Sequence, residues 1–118
     1  SKYSLNGVLG VLRPKMYVKK QASKDGTYQT GNYRTLGNMY VRKGPGLNYQ
    51  HKLVKNLTID GRRNATSTNL NATAIYKPGT VFTAKEIINN SDGSVWARSP
   101  SGYICLKGAS GKIYASKV

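Results

Sequence analysis

The stretch NMYVRKGPGLNYQ, residues 38–50, decides how the chain is read. Met39 and Val41 alternate with Tyr40 and Arg42, so a strand here turns its aliphatic pair inward and its Tyr-Arg pair outward. Gly44-Pro45-Gly46 then ends the strand, because proline has no N–H to give a ladder and glycine enters turn conformations at little cost. The chain bends there toward Asn48 and Tyr49.

Outward from this stretch the pattern repeats. Gly, Asn, Ser and Thr punctuate the chain every several residues, Tyr, Val, Ile and Thr fill the segments between, and helical periodicity is nearly absent. An all-β domain is expected, with strands at 8–12, 16–20, 39–42, 52–57, 81–88, 95–98, 103–107 and 113–115. Asp25-Gly26, Asp92-Gly93 and Ser101-Gly102 are hairpin signals. Alternation through Val95, Trp96, Ala97 and Arg98 predicts that Val95 and Ala97 face the core and that Trp96 and Arg98 are partly exposed. Residues 60–74, DGRRNATSTNLNATA, offer almost no large apolar side chain and read as a long surface loop. KMYVKK at 15–20 echoes NMYVRK at 38–43, which is expected of two similar strands in one sheet.

A length of 118 residues and 12.9 kDa suits one compact domain without metal or disulfide support. Beginning at Ser1, with no signal segment and no apolar run long enough for a membrane span, the chain reads as a piece of a longer protein, and no membrane partner is expected. Nineteen Lys and Arg against four acids give a formal charge of +15, so an anionic partner is expected. The charge alone does not separate nucleic acid, anionic lipid and wall teichoic acid.

Catalysis is disfavoured by the residues present. Hydrolysis of a glycosidic bond needs two carboxylates at controlled separation. Here Asp25, Asp60, Glu86 and Asp92 sit singly, two of them in Asp-Gly turns, and Glu86 has no evident partner. One histidine, His51, and one cysteine, Cys105, do not make a zinc site, so neither metal nor cofactor is expected. Cys105, between Ile104 and Leu106, reads as a small buried hydrophobe.

Four elements in order carry a resemblance. Met39-Tyr40-Val41-Arg42 with Gly44-Pro45 and Tyr49 is followed by Lys77-Pro78-Gly79-Thr80-Val81-Phe82, by Asp92-Gly93-Ser94-Val95-Trp96-Ala97 and by Ser101-Gly102-Tyr103-Ile104. Over about 65 residues this resembles the bacterial SH3-like (SH3b) cell-wall-binding domains of phage endolysins and bacterial autolysins. The resemblance implies a small SH3-like barrel at 38–118, carrying a long loop, with 1–37 as an N-terminal extension or extra strands. It also implies a non-catalytic module that tethers a neighbouring amidase, endopeptidase or muramidase domain of the same parent chain to peptidoglycan, through peptide, cross-bridge or associated teichoic acid. The parent would be made in the host cytoplasm by a phage or secreted as an autolysin, and would act at the bacterial wall.

By motif, the binding residues are expected to be Asn38, Tyr40 and Tyr49 around the first strand and bend, Trp96 and Tyr103 nearby, and Arg62 and Arg63 on the loop. Tyr and Trp offer flat faces with a polar tip, suited to peptide backbones and sugar rings. The alternative is a nucleic-acid-binding small barrel, motivated by the charge and by tyrosines able to stack on bases, but its basic residues are scattered rather than gathered in one stripe. A module docking a proline-rich partner would call for acidic specificity loops that this chain lacks.

Overall fold

The computed structural model describes residues 28–118. The candidate strands at 8–12 and 16–20, the Asp25-Gly26 turn and the first half of the echo lie outside the described residues. The rest is all-β: β1 (Gly31–Thr35), β2 (Met39–Tyr40), β3 (Ile75–Tyr76), β4 (Val81–Ala84), β5 (Glu86–Asn89), β6 (Val95–Ser99), β7 (Gly102–Lys107) and β8 (Ala115–Lys117), with one five-residue helix, α1 (Ile59–Arg63). The strands form three antiparallel sheets, ordered β4-β1-β8, β2-β3 and β5-β6-β7.

Main-chain hydrogen bonds join these sheets into a small barrel. β4 runs into β5 through Lys85, whose N–H stays on the ladder by donating to the Arg98 carbonyl at 2.8 Å. At the far edge, Tyr114 N–H donates to the Leu106 carbonyl and Gly108 N–H to that of Lys112, each at 2.9 Å, so β7 returns onto the approach to β8. β8 pairs with β1 and β1 with β4, which closes the circuit. Beside it, residues 41–43 pair with 50–52 around the Gly-Pro-Gly bend, and Arg42 and Tyr103 exchange reciprocal 2.9 Å bonds that fasten this hairpin to β7.

Val41, Ile87, Ile104 and Leu106 are fully buried in the core, as inward alternation of Met39 and Val41 predicts. Tyr33 of β1 joins them, its ring stacked on Phe82 at 6.2 Å and its hydroxyl donating to the Gln29 carbonyl at 2.7 Å. β1 is thus an extra strand drawn from the 1–37 segment, lying at the centre of its sheet.

Several local expectations are corrected. Residues 52–57 are not a strand; Val54–Asn56 form a 3-10 turn, because the Asn56 side chain accepts the Leu53 N–H at 3.1 Å and offers the backbone a local alternative to a ladder. The 81–88 strand is two strands in different sheets, bent at Lys85. The 60–74 loop opens inside α1, capped by Thr58, whose hydroxyl accepts the Gly61 N–H at 2.9 Å. Thr58 also bonds Ser101 through both its N–H (3.1 Å) and its hydroxyl (3.0 Å), which pins the inserted segment to the turn between β6 and β7. Glu86 has a partner after all: it is buried and accepts from Arg98 Nε at 2.9 Å.

Trp96 is the largest departure, being 2% exposed rather than partly exposed. Val95 and Ala97 do face the core, but the opposite face of β6 is covered too, because the Gly-Pro-Gly bend folds toward it and is tied there by Asn90, whose amide donates to the Pro45 carbonyl at 2.8 Å. A strand buried on both faces does not obey the in-out rule that a half-exposed strand does.

Candidate functional site

Where the bend, the β5–β6 hairpin and the β7–β8 turn come together they enclose a groove of about 780 Å³. Its lining includes Asn38, Tyr40, Arg42, Pro45, Leu47 and Asn48 from the first strand and bend, Asn90, Asp92, Ser94 and Trp96 from the hairpin, and Cys105, Gly108 and Tyr114 from the last two strands and their turn.

The walls are held by identifiable contacts. Tyr40 is 44% exposed, yet its ring is steadied by stacking on His51, centroids 4.4 Å apart, and by the Arg42 guanidinium 5.3 Å from its centroid. Arg42 Nη1 donates to the Tyr49 carbonyl at 2.9 Å and reaches that of Leu47 at 3.4 Å, so it fixes the bend from inside. Tyr49 completes the bend by lying on Gly44; a Cβ there would come within 2.3 Å of its ring, which only glycine avoids. Tyr114 packs in the same manner against Gly108.

The floor is organised by one hydroxyl. Ser94 Oγ donates to Asp92 Oδ1 at 2.6 Å and stands 3.2 Å from both Trp96 Nε1 and Asn90 Nδ2, each of which donates to it. That uses its one proton and both lone pairs. Ser94 N–H adds a second bond to Asp92 Oδ1 at 2.9 Å. The hydroxyl and N–H of Ser94 together hold the Asp92 carboxyl below its ordinary pKa, so it is ionised at neutral pH. Cys105 has the opposite fate: burial pushes its thiol up to about 11, which leaves it a poor nucleophile.

Of the seven residues expected to bind, Asn38, Tyr40 and Trp96 line this groove together. Trp96 does so as buried floor rather than as an open platform. Tyr49, Tyr103, Arg62 and Arg63 are not in the lining. Tyr49 braces the bend, and Tyr103 is half-buried in β7 opposite Arg98 and Arg42. The two arginines lie on α1, where Arg62 Nη2 donates to the Lys55 carbonyl at 2.8 Å. Sequence reasoning missed Asn90, Ser94 and Tyr114. The first two flank an Asp-Gly pair that signalled a turn and nothing more; Tyr114 sits in the segment beyond the last motif element. Among the described residues no three His, Cys, Asp or Glu side chains gather as a metal site, and no helix is long and apolar enough to cross a membrane.

No family model, curated protein or solved structure matches the chain.

Proposed function

We propose that the chain is a non-catalytic wall-binding module of the bacterial SH3-like kind, which fastens a peptidoglycan hydrolase to its polymer at the bacterial wall. The observation that carries this reading is the groove: an open surface groove with two tyrosine rings, an exposed leucine and the side-chain amides of Asn38 and Asn48 suits a peptide better than a reacting centre. Tyrosine rings give contact area at small entropic cost, and the amides can meet the donors and acceptors of a peptide backbone. The four ordered sequence elements support the same reading, since the first, third and fourth supply the bend, the hairpin and the strand that frame the groove.

Tethering works through effective concentration. A weakly binding module joined to a hydrolase keeps it near uncleaved polymer, and the gain comes without new contacts at the catalytic centre. The excess of nineteen basic over four acidic residues adds attraction to anionic wall polymers, distributed over the surface. Co-sedimentation with purified Gram-positive walls tests the proposal: the chain should pellet with walls and release no soluble wall fragments. The same +15 charge motivates a nucleic-acid reading, which salt distinguishes, because phosphate-driven binding falls steeply with ionic strength and would be absent on walls stripped of anionic polymer.

A further inference from the structure

We propose that the groove selects a peptide segment bearing a primary ammonium, received by the Asp92 carboxylate. This rests on the wall-binding reading above and names the chemistry of its ligand.

Among the described residues, Asp92 is the only carboxylate in the groove lining. Of the other two acids among the described residues, Glu86 is engaged by Arg98 and Asp60 lies on α1, outside the lining. In a chain with nineteen Lys and Arg, an acid would be expected to attract a basic neighbour, yet the Arg98–Glu86 pair is the one ion pair among the described residues. Asp92 is instead fixed by neutral donors. Both Ser94 bonds go to Oδ1, Oδ2 takes neither, and the Ser94 hydroxyl is itself locked by Trp96 and Asn90. The carboxylate is therefore ionised and held in place without a counter-ion among the described residues, an arrangement that can receive a charged donor from a ligand.

The surroundings favour a cation over an anion. Tyrosine faces attract cations, as Arg42 over Tyr40 and Lys112 at 5.4 Å over Tyr114 already illustrate. Arg42, the one basic residue in the lining among the described residues, has its guanidinium committed to the Tyr49 carbonyl and the Tyr40 ring. A phosphate entering here would be repelled by the Asp92 charge, whereas a peptide's free α-amine, or an amine-bearing side chain, would meet a carboxylate positioned by Ser94. Peptide stems whose amines have not been consumed by cross-linking are a wall component with that chemistry, and the one retained on walls freed of teichoic acid that a peptide-binding groove would meet.

The experiment measures binding of the full chain to teichoic-acid-free walls, untreated and with their amines acetylated by acetic anhydride, for the wild type and for Asp92→Asn. Asparagine keeps an Oδ1 acceptor for Ser94, and circular dichroism checks the fold. The wild type should lose about tenfold in affinity on acetylation, the size of effect that removal of a charge-assisted hydrogen bond produces. Asp92→Asn should bind untreated walls about as weakly as the wild type binds acetylated ones, and should be indifferent to acetylation. Equal wild-type binding to both walls would overturn the ammonium assignment and leave wall binding standing. An Asp92→Asn variant as tight and as acetylation-sensitive as the wild type would also overturn it. Absence of binding to untreated walls would remove the wall-binding reading and this inference with it.

Discussion

Tyr40 and His51 stack with ring centroids 4.4 Å apart and planes inclined by 23°, across the hairpin that the Gly-Pro-Gly bend closes. The stack holds an exposed tyrosine at the groove wall in one orientation before any ligand arrives, and preorganisation of this kind removes part of the entropic cost of binding. His51→Ala should therefore weaken wall binding by about two- to tenfold, the range associated with an aromatic pair, although His51 is not in the groove lining. Tyr40→Ala should weaken it further, and Tyr40→Phe should retain most of it. Wall-binding isotherms of the three variants check the order.

Trp96 and Ser94 are expected to report on stability before binding. Trp96→Ala empties the space under the groove and should destabilise the domain by about 3–5 kcal/mol, the usual cost of removing a buried large aromatic. Ser94→Ala strands the Trp96 indole N–H and one Asn90 donor, and should cost about 1–3 kcal/mol. Urea unfolding midpoints give both values. A Trp96→Ala protein with unchanged stability would mean the ring is a dispensable surface feature.

Gly61 touches the node that anchors α1. A Cβ there would stand 2.5 Å from Ser101 Oγ and 3.0 Å from the Tyr76 hydroxyl. Gly61→Ala should accordingly destabilise the protein by about 1–3 kcal/mol through overpacking, despite alanine's better helix propensity. Thermal melts of Gly61→Ala beside an Arg63→Ala control, at an exposed position of the same helix, separate the node from the helix.

Cys105 predicts an alkaline signature. Its folded pKa is raised from 9.0 to about 11, first by burial, so the folded state keeps a proton that the unfolded chain releases. Its contribution is fully present below pH 9.0 and is lost as pH rises toward about 11. The loss should be of order 1–2 kcal/mol once partial solvent screening is allowed for. Burial raises Tyr33 and Tyr76 in the same direction, which extends the decline above pH 10.0. Cys105→Ala should flatten the part of the curve between pH 9.0 and about 11 and leave the tyrosine part. Denaturant titrations across that range measure it.

How much of this was legible in the sequence depended on how local its cause was. Met39-Tyr40-Val41-Arg42 revealed its inward and outward faces, and Asp92-Gly93 and Lys77-Pro78-Gly79-Thr80 revealed their turns, because those features are decided within a few residues. Gly93 and Gly79 indeed take positive φ. GNYRT carries no strand signal of its own, since it holds a single large apolar residue, and becomes β1 only by pairing on both sides with β4 and β8. The groove was half legible. Asn38 and Tyr40 follow from the first strand, whereas Asn90, Asp92 and Ser94 become site residues only because the bend docks on them through Pro45, a contact between positions 45 residues apart. Tyr49 lies outside the groove lining for the converse reason, as an aromatic after a Gly-Pro bend can reach outward or fold back onto the bend's own glycine, and here it folds back onto Gly44.

The central claim, that the groove rather than surface charge holds the wall, is tested most directly by binding of two variants to teichoic-acid-free Gram-positive walls at low and high salt. One is Tyr40→Ala, in the groove; the other is Arg62→Ala with Arg63→Ala, outside it. The account predicts that Tyr40→Ala loses most of its binding at both salt concentrations while the double arginine variant stays close to wild type. Binding that survives loss of Tyr40 but disappears with the arginines or with added salt would contradict it.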